Sequence, residues 1–387
     1  MALTLTDEQV AVRDAARDYL QENAGFEQLR RTVDGTAGWD EELWRGFASE
    51  LGFAGAGIAE EDGGIGLGAI EQALILEELG RTLAPIPWFE SVVLAGRAIT
   101  ATATADQRRK LLSGISTGET IATLAMLASS GVSAPDGVGP QIDLKDGQWV
   151  LAGEAHYVPF GHVATLLIVA ARRPGTSGWD GLTLIALPVD TPGLSVKRVV
   201  SLDLTRPYTT VCFDNVTVDE SQLLGAVGEA GPALHRTLIG AAGLLAAEQL
   251  GGATRSLEET VAYAKDRVQF GRTIGSFQAV KHRLADMKLL VDYARSASDW
   301  AARAIAEDGD FESAASGARS YCSDAFLTCA SDAIQLHGGI GFTWEHHAHL
   351  FFKRARSSST MLGSPAEHRE AIARTIIDPA IDQPEHV

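Results

Sequence analysis

The chain has 387 residues, 45% hydrophobic and 21% charged, with a formal charge of −18. That length suits two or three cores rather than one, and the composition is that of a globular protein. The acidic balance excludes general affinity for nucleic acid or membrane surfaces, which needs basic patches, so an anionic ligand must be met by local Arg and Lys. The opening MALTLTDEQVAVRD has no apolar signal core, and no apolar run reaches membrane-spanning length. Cys322 and Cys329 stand seven apart on one helical pattern, about 10 Å by helical rise and too far to bridge. Reduced thiols and a cytoplasmic location are expected.

Residues 1–117 read as helices with short connections. Thr6 and Gln9 form a capping box, and Val10, Val12, Ala15, Ala16 and Leu20 supply the first apolar face. A helix from about Glu41 ends at Gly52. Glu60, Glu61 and Asp62 then lead a Gly-rich loop before a helix over Ile70–Leu79. No strand–helix unit frames that loop, so it is a turn rather than a dinucleotide fingerprint.

Residues 118–225 change character. Alternating apolar residues, Thr and Val enrichment and Gly/Pro punctuation predict strands, clearest at Trp149–Leu151, Thr165–Ala170, Leu182–Leu187 and Val211–Phe213. Asp146-Gly147 is a hairpin turn signal.

Residues 226–387 return to helical periodicity, consistent with a four-helix bundle. From Leu238 to Met287, Leu244, Leu245, Leu257, Val261 and Ala264 recur at three-and-four spacing. Glu248 interrupts this face, and a carboxylate there must be paired, hydrogen-bonded, solvated or employed. The pattern stops at Arg267-Val268-Gln269-Phe270-Gly271-Arg272, followed by Ile274-Gly275 and Phe277-Gln278, and a second helix begins after Ser276. Farther on stands Gln335-Leu336-His337-Gly338-Gly339-Ile340-Gly341-Phe342. Lys353, Arg354 and Arg356 read as a solvated helix face, Lys353 above all. His346, His347 and His349 lack the His-Glu-x-x-His spacing of a metal site and read as a packed or solvated cluster.

The two Gly-containing motifs, with Ala285-Asp286-Met287, resemble the signature of FAD-dependent acyl-CoA dehydrogenases. The resemblance implies a mostly α fold with a central β domain: an N-terminal helical domain, a middle β-barrel or sandwich domain and a C-terminal four-helix bundle. It further implies FAD, an acyl-CoA substrate, electron-transfer flavoprotein or a similar acceptor, and tetramer assembly. Arg267, Gln269, Phe270, Gln278, Gln335 and Gly339 match family residues that hold the adenosine and diphosphate of FAD across a subunit boundary. A guanidinium and the N–H groups of a Gly turn suit that diphosphate. Met361-Leu362-Gly363-Ser364 matches the loop placed over the flavin, making Ser364 a further contact.

Departures from the family sit in the middle and at the base. Leu127–Pro135 replaces the usual Thr-Glu-Pro to Gly-Ser-Asp segment, and Tyr157-Val158-Pro159 replaces the aromatic-Ile-Thr/Ser run beside the flavin. Pro159 has neither N–H nor hydroxyl to offer. Ser201–Pro207 resembles actinobacterial members that work as mixed tetramers, so homotetramer and heterotetramer both remain open. Leu362 stands where most members carry the catalytic Glu, and Ala241 where others do. Glu248, two helical turns beyond Ala241 on the same face, is the expected base, its pKa raised by desolvation. The competing reading pairs it with Arg255. Small residues Ala241, Gly251 and Gly252 suggest room for a bulky or branched acyl group, such as a steroid side chain, unless they merely permit close helix packing. The alternative to catalysis is a partner subunit that lends part of the FAD site.

Overall fold

The computed structural model describes residues 4–381. Eleven α-helices and ten strands follow in chain order: α1 (Asp7–Asn23), α2 (Phe26–Asp34), α3 (Glu41–Trp44), α4 (Ala69–Thr82), α5 (Gly96–Thr102) and α6 (Ala105–Ser116) form the first layer. Strands β1 (Ala122–Ala125), β2 (Gln141–Lys145), β3 (Gln148–Pro159), β4 (Leu166–Arg172), β5 (Leu182–Pro188), β6 (Leu194–Val199), β7 (Tyr208–Val218) and β8 (Leu223–Leu224) form the central sheet. The last layer holds α7 (Gly231–Asp266), the small hairpin β9 (Val268–Gln269) and β10 (Arg272–Thr273), α8 (Gln278–Ala306), α9 (Glu312–His337), α10 (Ala348–Ser358) and α11 (Pro365–Ile381).

Local sequence accounts for the punctuation. Thr6 accepts from the Gln9 N–H while Gln9 reaches back, closing the expected capping box. Asp146 and Gly147 take φ of 50° and 80° between paired Lys145 and Gln148, the positive angles of a type I′ turn. The helix from Glu41 widens into a π-helical stretch over Arg45–Glu50 and ends at left-handed Gly52.

The sheet runs β6-β7-β3-β2-β4-β5-β8, with β1 parallel to β4. Its inner strands β4 and β5 are almost continuously buried, as strands covered on both faces must be. One apolar core joins Trp44 and Trp88 of the first layer, Leu167 and Ile185 of the sheet, and Leu244 and Leu245 of α7. A second lies inside the bundle, around Leu250, Met287, Phe326 and Phe351.

The glycines of α7 serve contact, not space. A Cβ at Gly251 would stand 1.9 Å from the Glu77 carbonyl oxygen of α4, and one at Gly252 2.3 Å from the Phe326 ring of α9. They let helices approach closely, so the expectation that they open room for a bulky acyl group is corrected.

Candidate functional site

Where the three layers meet, α7 carries Glu248 into a buried ion network. Its Oε2 accepts from Arg206 Nη2 at 2.5 Å, and its Oε1 accepts from Arg206 Nη1 at 3.2 Å and Arg354 Nη1 at 2.9 Å. Arg206 Nε also donates to Glu90 Oε1 at 2.9 Å, and Arg354 Nε to Asp203 Oδ2 at 2.9 Å. Thr205 completes the set, accepting from Arg354 and donating to Asp203 at 2.6 Å. The residues come from the first layer, the β6–β7 connection, α7 and α10, and none exceeds 4% exposure. Polar groups so enclosed persist because each finds a partner.

Glu248 is therefore not the desolvated base expected from the sequence. Burial pushes its carboxyl up, but the Arg206 and Arg354 guanidiniums outweigh this and hold it below the usual carboxylate range. A base for a weakly acidic C–H needs the opposite shift. Nor is it among the residues that line the cleft and lobe described below. The competing partner is corrected too: Arg255 pairs with Glu259 at 2.7 Å. Glu90 goes the other way, raised by burial, with its Oε2 lacking a partner among the described residues. Arg354, read as part of a solvated face, is 2% exposed.

Above this network opens a cleft of about 230 Å³ between sheet and bundle, lined by Leu94, Met126, Tyr157, Pro159, Tyr208 and Leu362 among others. Leu362 also lines an adjoining lobe of about 180 Å³. In the cleft no side chain is a carboxylate. In the lobe, Glu367 lies at the start of α11, where its Oε2 accepts the Ser364 N–H at 2.7 Å and holds that helix end. Ser364 is thus committed to a helix cap, its Oγ accepting from the Glu367 N–H, and stands apart from the other expected flavin contacts.

Those others stand at exposed positions after α7 and at the end of α9. Arg267, Gln269, Gln278, Gln335 and Gly339 are exposed, and Phe270 is 93% exposed. The last turn of α7 meets the end of α9 through Tyr263, whose ring lies 4.4 Å from that of His337. Among the described residues Arg267 has no ion pair. The backbone at Gly338 and Gly339 stands open, with nothing within 4 Å of a built Cβ. The histidines pack: His347 stacks on Phe26 at 3.5 Å and pairs with Glu259 at 2.5 Å. Among the described residues no metal-holding cluster forms.

The family models for the acyl-CoA dehydrogenase N-terminal and C-terminal domains match residues 6–119 and 233–377. The chain is 34% identical over 94% of its length to acyl-CoA dehydrogenase IpdE2 of Mycobacterium tuberculosis, 96% of which is covered. The chain belongs to the acyl-CoA dehydrogenase family. Among solved structures it is similar to the ChsE4–ChsE5 complex of Mycobacterium tuberculosis, with 26% identity, TM-score 0.87 and coverage of 99% and 100%. It is likewise similar to a variant of the Tcur3481–Tcur3483 steroid ACAD, with 31% identity, TM-score 0.84 and coverage of 97% and 99%.

Members of this family are FAD-dependent oxidoreductases acting on CH–CH bonds. The exposed residues fit one half of that cofactor: a guanidinium without an ion pair and an open Gly turn are donors of the kind a diphosphate takes. The cleft fits the ring half poorly. Pro159 has no N–H and its carbonyl oxygen already accepts from Thr123 Oγ1 at 2.8 Å. Tyr157 spends its hydroxyl on the Ser129 carbonyl at 3.0 Å. Among the described residues no helix is long and apolar enough to cross a membrane.

Proposed function

We propose that the chain is the base-lacking half of a mixed acyl-CoA dehydrogenase, lending Arg267, Gln269, Phe270, Gln278, Gln335 and Gly339 to FAD seated against a second, related chain. The observation that carries this reading is that no carboxylate lines the cleft, while Glu248, the expected base, is held by two guanidiniums outside its lining. When bound, FAD would supply the acceptor for the hydride that leaves the β-carbon of an acyl-CoA. This chain's own part is to bind and orient: Arg267 meets the diphosphate charge, and the Gly338–Gly339 turn lets its backbone approach. The two-component names of the ChsE4–ChsE5 and Tcur3481–Tcur3483 relatives support the pairing, and the latter's description as a steroid ACAD supports a bulky, steroid-type acyl group. An electron-transfer flavoprotein or similar acceptor would reoxidise the flavin.

Flavin counting tests the assembly. Co-expressed with its partner, the chain should carry about one flavin per pair, as sites shared across an interface require. A yellow homotetramer with one FAD per chain would defeat the idea. Arg267→Ala should weaken FAD retention about ten- to hundredfold, the loss of a charge-assisted hydrogen bond of about 1.5–3 kcal/mol. The flavin-to-protein absorbance ratio after dilution reads this directly.

A further inference from the structure

The clustered histidines form a column of rings at the end of α9. Tyr263 of α7 faces His337 at 4.4 Å, and His337 faces His346 at 4.5 Å. His346 in turn faces His347 at 4.5 Å, and His347 lies on Phe26 of α2 at 3.5 Å. Each imidazole is also tied through a nitrogen. His337 Nδ1 donates to the Ala333 carbonyl oxygen at 2.7 Å, and His346 Nδ1 accepts the Ala348 N–H at 3.1 Å, at the start of α10. His347 Nε2 meets Glu259 Oε2 of α7 at 2.5 Å. The Tyr263 hydroxyl donates to the His337 carbonyl oxygen at 3.4 Å. Helices α2, α7, α9 and α10 are thus all joined through these rings.

His337 and His346 bracket residues 338–345, so their contact closes the stem of the loop that carries Gly338 and Gly339. The far side of that loop is held separately, Trp344 Nε1 donating to Asp34 Oδ1 at 3.2 Å. Neutral imidazoles pack as aromatic rings, whereas two imidazoliums at this distance repel. Burial holds both histidines below the ordinary value, His346 down to about 4, with His347 and His337 adding to the effect on it. The other titratable or charged groups facing the stem are Glu259 and Tyr263 of α7 and His349 of α10. Glu259 is the carboxylate among them, and it already serves His347 and Arg255. A charge on the stem therefore meets no free counter-ion there. The closed stem has its full strength above the ordinary 6.5 and weakens as pH falls from there toward about 4.

We propose that His337 and His346 are positioning residues whose packed rings close the stem of residues 338–345 and hold the Gly338–Gly339 turn for the FAD diphosphate. Protonation opens the stem, so acid loosens this chain's hold on the cofactor. The inference rests on the FAD reading above and adds a means of regulation to it.

Amide hydrogen exchange in the purified assembly, mixed or not, tests the stem on this chain's peptides covering residues 338–345, scored as protection relative to the unfolded chain at each pH. Wild-type protection there should fall about tenfold or more between about pH 7 and about pH 5, as linkage requires for groups so shifted, with α8 unchanged. His346→Phe keeps a ring without the titration and should hold that protection across the range. His346→Ala should lose it by about tenfold at neutral pH already, for want of the ring contact. Flavin release, followed by absorbance after dilution, should quicken in acid for the wild type and stay slow in His346→Phe. Wild-type protection that ignores pH, or an equal fall in His346→Phe, overturns the switch. Unchanged protection in His346→Ala overturns the stem. Loss of protection throughout the chain in His346→Phe also overturns it, because His346 would then support the whole fold. Flavin release that does not follow loop protection overturns the link to the cofactor. Full flavin retention in Arg267→Ala would instead remove the FAD reading, and the exchange results would still decide the stem.

Discussion

Glu248→Ala is expected to destabilise the protein by about 3–5 kcal/mol, the cost of leaving buried charges without their counter-ion. Two guanidiniums lose their shared acceptor at once, and Arg206 keeps only Glu90. Glu248→Gln should lie between wild type and Ala, since an amide oxygen still accepts but carries no charge. Glu90→Gln should cost far less, because Glu90 accepts one bond from Arg206 and its Oε2 meets none among the described residues. Urea unfolding of the three variants at neutral pH checks the order. A Glu248→Gln protein as stable as wild type and devoid of turnover would restore the base assignment.

The pH dependence has a defined sign. Glu248's folded pKa lies below its ordinary 4.5, so its contribution is fully present above that value. It is lost as pH falls through the depressed folded pKa. Glu90 is raised, so its ionisation favours the unfolded chain, and protonation between the ordinary and the raised value favours the fold. Acid unfolding below the ordinary carboxylate range should therefore be blunted in Glu248→Gln, whose contribution is already gone. An unchanged acid limb would argue against Glu248 as the controlling group.

Local patterns were readable because their causes are local. The capping box at Thr6, the turn at Asp146-Gly147 and the stop at Arg267 are each decided within a few residues. Glu248 was recognisable as an anomaly, since a carboxylate in an apolar face demands an explanation. Its partners lie 42 and 106 residues away in other layers, and periodicity carries no information at that range. The same limit misled the reading of Gly251 and Gly252, small because α4 and α9 touch them. Arg354 was hidden by its neighbours Lys353 and Arg356, which make a surface-like run. Arg319, fully buried in α9, gave a usable signal that went unread: a lone Arg in the Ser, Ala and Gly run of residues 313–320 is an unusual expense of charge in a packed face.

Purified alone, the chain should show turnover per flavin about 10²–10⁴-fold below that of the assembly with its partner, the range a positioned general base contributes. Three residues make the case. Leu362 and Ala241 carry no proton acceptor at the two positions the family uses, and Glu248 is locked between Arg206 and Arg354. On the proposed mixed assembly, the partner would have to supply both the carboxylate and a ring-side segment without Pro159. Once assembled, the enzyme should favour a steroid-type CoA ester over octanoyl-CoA in kcat/KM. The measurement is anaerobic flavin reduction, monitored by loss of flavin absorbance, for this chain alone, for the partner alone and for the pair. Reduction by this chain alone at the rate of the pair would show that a base remains in its own cleft. A preference of the pair for octanoyl-CoA would sink the substrate assignment and leave the subunit assignment standing, because the missing carboxylate is independent of the acyl group.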